Sequence, residues 1–78
     1  MREKTKADWA RTTRNLLKGE LTRRGISYED LAARLKQIGV HETPHNITNK
    51  INRGTFSALF MVQVLRAIGC RSLDIHLD

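Results

Sequence analysis

Residues 27–54, SYEDLAARLKQIGVHETPHNITNKINRG, contain two short helical patterns separated by a turn, and this stretch decides the fold. Ser27 stands three residues before Asp30, which is the spacing of a capping box at a helix N-terminus. From Leu31 onward, apolar residues recur at three- and four-residue spacing as far as Gly39, a residue type that often ends helices. The first pattern therefore predicts a capped helix with one apolar face.

The second pattern predicts a shorter and far more polar helix. Thr43 is suited to the N-cap, and Pro44 is suited to the first helical position, where its missing N–H costs nothing. The only apolar residues are Ile47 and Ile51, about one turn apart, and the pattern ends at Gly54. All other positions are polar or basic: His45, Asn46, Thr48, Asn49, Lys50, Asn52 and Arg53. Such a helix is expected to be exposed over most of its circumference.

A first helix is predicted over residues 6–24 and a fourth over residues 57–68. Trp9 is expected to lie on the buried apolar stripe of the first helix, because it shares the three- and four-residue spacing of the leucines that follow it. The fourth helix, capped by Thr55 or Ser57, is apolar nearly all round. Two surfaces are therefore expected to cover it.

The C-terminal residues follow a different period. Leu73, Ile75 and Leu77 alternate with polar residues, which is the pattern of a short, half-buried strand. The predicted fold class is therefore all-α, a compact four-helix helix-turn-helix domain with a short C-terminal β-strand. We divide the chain into a basic N-terminal arm (1–5), the helix-turn-helix domain (6–71) and the strand (72–78), a possible dimerisation element.

The chain is short and basic. Its 78 residues and mass of 8.9 kDa allow one domain. It has 14 Lys and Arg residues against 8 Asp and Glu residues, giving a formal charge of +6, which favours a polyanionic partner such as nucleic acid. The one cysteine, Cys70, cannot form an internal disulfide, and neither a membrane-spanning stretch nor a secretory signal is recognisable. A cytoplasmic location is therefore expected.

Residue patterns typical of enzymes do not occur. There is no glycine-rich phosphate loop, no nucleophile motif and no pair of carboxylates suited to acid–base catalysis. His41 and His45 have the spacing of a helical metal pair, but Pro44 lies between them at the expected helix start. We therefore expect no catalytic residue, metal, cofactor or small-molecule substrate.

The two central patterns together are typical of a helix-turn-helix unit, whose second helix enters the major groove of DNA. Amide and cationic side chains on that helix match base edges and phosphate oxygens. No Asp or Glu occurs at positions 43–68 to repel phosphates. The predicted base contacts are His45, Asn46, Asn49, Lys50 and Arg53.

Residues 16–69 resemble the lambda-repressor-like helix-turn-helix superfamily, in which a helix beginning S-x-x-x-L-A precedes a recognition helix ending in R-G. The chain is also similar to a small bacterial family of uncharacterised single-domain proteins. The shared elements are RRGxSY, NKIxRG and FSA, found here at residues 23–28, 49–54 and 56–58. The resemblance implies a small repressor-like transcription regulator that binds double-stranded DNA, with Tyr28 at a position where repressors often contact phosphate.

Further phosphate contacts are expected beside the polar helix. The Thr55 hydroxyl follows this helix directly, whereas for Arg23 and Arg24 an ordinary solvated helix face is an equal alternative. The candidate phosphate contacts are Tyr28, Thr43, Thr48, Thr55, Arg23 and Arg24.

A homodimer is expected because helix 57–68 carries more apolar residues than one buried face requires and the C-terminal strand has no partner strand. The predicted interface residues are Phe60, Val64, Leu73, Ile75 and Leu77. Folding of residues 73–78 back over the chain's own helices is the alternative. Two other functions stay open: a protein–protein adaptor that uses helix 57–68, and an RNA-binding module.

Overall fold

Hydroxyl side chains mark the helix starts. The computed structural model describes residues 3–73 and residue 75, and this part of the chain contains four helices and no strand. The helices are α1 (Lys6–Arg24), α2 (Tyr28–Gln37), α3 (Pro44–Arg53) and α4 (Ala58–Ala67). Their N-caps are Thr5, Ser27, Thr43 and Ser57, each accepting a hydrogen bond from a backbone N–H in the first turn. The predicted all-helical, four-helix class is confirmed.

The core is formed by apolar side chains from all four helices. Its members are Leu17, Leu21, Leu31, Leu35, Ile47, Ile51, Phe60, Val64 and Ile68, each no more than 5% exposed. Helix α3 packs against both α1 and α2, and α2 also packs against α4. The side of α3 that carries Ile47 and Ile51 is therefore covered, and its polar side is left at the surface.

Gly54 allows the end of α3 to approach α1 very closely. It is buried, it caps α3, and its φ of 67° is in the left-handed region. A Cβ atom at this position would lie 1.9 Å from the carbonyl oxygen of Ala10 and 2.7 Å from its carbonyl carbon. The backbone of α1 therefore occupies the space that a side chain would need. This contact sets the position of α3 relative to the first helix.

The expected burial of Trp9 is wrong. Its side chain is 49% exposed, and the Lys4 ammonium lies 4.8 Å from the ring centroid. The reason is that α1 has 19 residues whereas α2, α3 and α4 have 10 each. The buried leucines of α1, Leu17 and Leu21, lie in its C-terminal half. Gly54 of α3 meets α1 at Ala10, but the core does not extend to the side of the first turn that carries Trp9, and this side chain is left at the surface.

Helix α4 is covered on one side only, contrary to the expectation of two covering surfaces. Phe60 and Val64 are in the core, but Leu59 is 71% exposed and Val62 is 65% exposed. Within the described residues, the main packing partner of α4 is α2. The single chain thus leaves an apolar strip on α4.

The predicted C-terminal strand is not supported. Leu73 and Ile75 have no strand conformation, while Asp74 and residues 76–78 lie outside the described residues. A strand needs a neighbour for its backbone N–H and C=O groups, and none is present in the described part of the chain.

None of the described helices has the length and apolar character needed to cross a membrane.

Candidate nucleic-acid interface

The polar surface of α3 is formed by the side chains opposite its two isoleucines. His45, Asn46, Asn49 and Arg53 are exposed, as expected from their spacing relative to the buried Ile47. The Asn49 side-chain amide lies 3.2 Å from Nε2 of His45, one helical turn earlier. This contact orients two of the predicted base-contacting side chains. Four of the five predicted base contacts therefore share one exposed surface.

Two of the threonine hydroxyls near α3 are already engaged with the helix backbone. Thr43 Oγ1 accepts a hydrogen bond of 3.1 Å from the Asn46 N–H, which leaves its own proton free to be donated. Thr48 Oγ1 instead donates its proton to the Pro44 carbonyl at 2.8 Å. A phosphate oxygen needs a donor, so Thr43 is suited to phosphate in this conformation and Thr48 is not.

Lys50, the fifth predicted base contact, has internal partners. Its ammonium forms an ion pair with the Glu42 carboxylate and lies 5.0 Å from the centroid of the Phe60 ring. The Lys50 side chain therefore lies along the flank of α3 next to α4 instead of extending freely from the polar surface. Reasoning from sequence missed both partners, because they are 8 and 10 residues away and no helical periodicity relates them to Lys50.

A groove of about 190 Å³ separates the end of α3 from the start of α4. It is lined by Lys50, Arg53, Thr55, Phe56, Ser57 and Phe60. Two cationic side chains and two hydroxyl side chains thus meet at the N-terminus of α4, where the helix dipole favours a negative charge. We call these six residues the α3–α4 groove. The structure brings Thr55 together here with two of the predicted base contacts.

Arg23 and Arg24 lie elsewhere and share one carboxylate. Both form ion pairs with Glu20, whose side chain is only 6% exposed. The hydrogen bond from Arg24, helped by the charges of both arginines, lowers the pKa of Glu20 below its ordinary value. Neither arginine lines the α3–α4 groove. Their first role in the structure is to neutralise a buried acid.

Tyr28 lies at the first position of α2, also outside the α3–α4 groove. It is partly buried and lines a depression of about 430 Å³ together with Lys18, Leu21 and Ile26. Burial raises the pKa of the Tyr28 phenol above its ordinary value, so the hydroxyl keeps its proton at neutral pH and is a donor. This state is compatible with the phosphate contact that the resemblance implies.

The family model described as "Domain of unknown function (DUF6471)" matches residues 9–73. The chain belongs to this family. The match begins in the first half of α1 and includes all of α2, α3 and α4, so the polar surface of α3, Glu42 and the α3–α4 groove are parts of the DUF6471 domain. Among curated proteins and among solved structures, no significant match to the chain is found.

The residues expected at a dimer interface are only partly available in this DUF6471 domain. Phe60 and Val64 are 3% and 0% exposed, so assigning them to an interface is wrong; they belong to the core of the single chain. Ile75 is exposed and Leu73 is partly buried, while Leu77 lies outside the described residues. The exposed apolar side chains of α4 are instead Leu59 and Val62, which the sequence reasoning did not single out.

Proposed function

We propose that this domain is a helix-turn-helix module that binds double-stranded DNA in a sequence-specific manner in the cytoplasm and regulates transcription as a repressor-like protein. In this proposal it is a binding protein and not an enzyme. Helix α2 supports α3, and α3 enters the major groove as the recognition helix. The resemblance to lambda-repressor-like proteins supports the same assignment.

The polar surface of α3 is the observation that carries this proposal. Ile47 and Ile51 are fully buried, so α3 is held firmly by one narrow apolar seam. His45, Asn49 and Arg53 are exposed, and none of the residues of α3 is acidic. Amide, imidazole and guanidinium groups are the donors and acceptors that read base edges. A helix that is merely solvated has no need for this combination.

The α3–α4 groove supplies a place for the DNA backbone. Arg53 and Thr55 offer donors, and Ser57, the N-cap of α4, lines the same groove. A phosphate bound there would be held directly beside the helix that reads the bases. Phosphate contacts of this kind fix the register of a protein on duplex DNA without reading sequence.

The first test removes two exposed side chains of α3 together. A duplex site is first selected from a randomised library, and its affinity for the wild-type chain is measured at several salt concentrations. We expect the Asn49→Ala, Arg53→Ala double variant to lose about 2–4 kcal/mol of binding free energy on that site, roughly 30- to 1000-fold. The reason is that each side chain that contacts a base edge adds binding free energy for the correct base over the others.

The matched control is the Asn15→Ala, Arg66→Ala double variant. It removes the same two residue types from exposed positions on α1 and α4, so the change in net charge is identical. The control should stay within about threefold of wild type, as expected for a long-range charge effect. Equal losses in both double variants, or no enriched site in the library, would contradict sequence-specific reading by α3. The RNA-binding alternative is tested by letting single-stranded RNA compete with the selected duplex for binding to the wild-type chain.

A second candidate function is favoured by the exposed apolar strip of α4. Leu59 and Val62 are the most exposed large apolar side chains of the described residues. They suit a protein–protein contact, either with another protein, if the chain is an adaptor, or with a second copy of the chain. We propose the second copy, because a twofold dimer would present two α3 helices to major grooves about 34–36 Å apart.

The dimer predicts a defined mass change. At micromolar concentration, light scattering should give the mass of two chains for the wild type and of one chain for the Leu59→Gln, Val62→Gln variant. Ile38→Gln, which removes an exposed apolar side chain from the end of α2, should leave the dimer intact. A wild-type mass of one chain that duplex DNA does not change would rule out the dimer.

A further inference from the structure

We propose that Glu42 is a built-in counterion that restrains the affinity of the DNA-binding surface by holding the Lys50 ammonium. This inference rests on the proposed function and adds to it a residue that sets binding strength. Glu42 directly precedes the N-cap of α3, and its carboxylate pairs with Lys50, which lies in the second turn of that helix. The pair therefore spans the flank of the helix that is proposed to read DNA.

The position of Glu42 in the chain makes it unusual. It is the only acidic residue between Asp30 and Asp74, so α3, α4 and the segment that joins them contain no Asp or Glu. Its side chain is 15% exposed, whereas that of Lys50 is 43% exposed. The carboxylate is thus the more deeply held partner, and the lysine is the one that solvent or a ligand can reach.

Lys50 faces a place where a phosphate can bind. The same side chain lines the α3–α4 groove together with Arg53 and Thr55. Its ammonium is held from one side by the Glu42 carboxylate and rests against the Phe60 ring. A phosphate entering the groove competes with that carboxylate for one cation, and the carboxylate also repels the phosphate.

Release of Lys50 should have a measurable electrostatic signature. A lysine that is neutralised by an internal carboxylate displaces no counterions from DNA, whereas a released lysine that contacts phosphate does. Each additional phosphate neutralised makes the slope of log K against log salt steeper by about 0.9. Glutamine keeps the shape of the glutamate side chain and can still accept a hydrogen bond, so Glu42→Gln removes the charge with little change in packing.

The experiment measures duplex DNA affinity and its salt dependence for Glu42→Gln. At about 100 mM salt we expect binding to tighten roughly 3- to 10-fold and the salt slope to steepen by about one. The control is Glu29→Gln, which removes an exposed carboxylate from α2 and changes net charge equally. In a Lys50→Met background, which keeps the aliphatic stem beside Phe60, the gain from Glu42→Gln should fall to that of the control.

The pair itself is tested without DNA. A double-mutant cycle with Glu42→Gln and Lys50→Met, measured by urea unfolding, should show coupling between the two positions, since they contact each other. If the wild type binds duplex but Glu42→Gln gains no more than Glu29→Gln, or binds more weakly, the inference is overturned and the proposed function stands. If neither the wild type nor any variant binds duplex in a salt-dependent way, the inference and the proposed function are both overturned, whatever coupling the double-mutant cycle shows.

Discussion

Replacing Gly54 with alanine is expected to lower the free energy of unfolding by about 3–5 kcal/mol, a large part of the stability of a domain of this size. Two costs add together. A residue with a Cβ atom is strained at a φ of 67°, and that atom would stand 1.9 Å from the Ala10 carbonyl oxygen. The obstacle is helix backbone, which cannot rotate aside as a side chain can. Helix α3 must therefore move away from α1.

Gly25→Ala separates these two costs. Gly25 ends α1 with a φ of 64°, but a Cβ atom there would have no atom within 4 Å. The only cost in this variant is that of an alanine in the left-handed conformation, so the free energy of unfolding should fall by about 1 kcal/mol. Urea unfolding followed by circular dichroism gives both values. If Gly54→Ala lowers the free energy of unfolding no more than Gly25→Ala does, the close contact between α1 and α3 at Gly54 is contradicted.

Leu31→Ala should produce the second large loss, about 2–5 kcal/mol. Leu31 is 0% exposed and lies in the first turn of α2, the helix that supports α3 and contacts α4. Truncation leaves a cavity that the neighbouring helices fill only partly. The hydrophobic free energy of the removed atoms is lost, and the cost of the remaining cavity is added to it. The measurement is again urea unfolding, with the midpoint and the slope reported separately.

Trp9→Ala is the informative comparison for Leu31→Ala. Tryptophan is the larger side chain, and reasoning from periodicity alone places both residues on buried faces. With Trp9 49% exposed and contacting Lys4, we expect its loss to cost about 1 kcal/mol. Circular dichroism is required, because this variant removes the only tryptophan of the chain. A loss from Trp9→Ala as large as that from Leu31→Ala would contradict the exposed position of the first turn of α1.

The candidate site was predictable to the extent that it depends on one helix. The alternation of Ile47 and Ile51 with polar residues is enough to place His45, Asn49 and Arg53 on the exposed side of α3, and the structure has them there. The partners of Lys50 were not predictable in this way. Glu42 precedes the helix and Phe60 belongs to the next one, so their meeting depends on how α3 and α4 pack.

The sequence by itself determined where the helices begin. Thr5, Ser27, Thr43 and Ser57 cap their helices through hydrogen bonds that reach only three residues along the chain. Such interactions are complete within one turn, so the tertiary structure is not needed to form them. For the same reason the apolar seam of α3 is visible in the spacing of its two isoleucines alone.

Only the tertiary structure decided which apolar side chains are covered and which charged groups meet. Leu59 and Phe60 are adjacent, large apolar residues, yet Leu59 is 71% exposed and Phe60 is 3% exposed. Periodicity describes the faces of a helix but not the length or position of the helices that will cover them. The burial of Gly54 against Ala10 and the pairing of Glu42 with Lys50 depend in the same way on packing between segments, because close packing is a property of the assembled helices and not of any one of them.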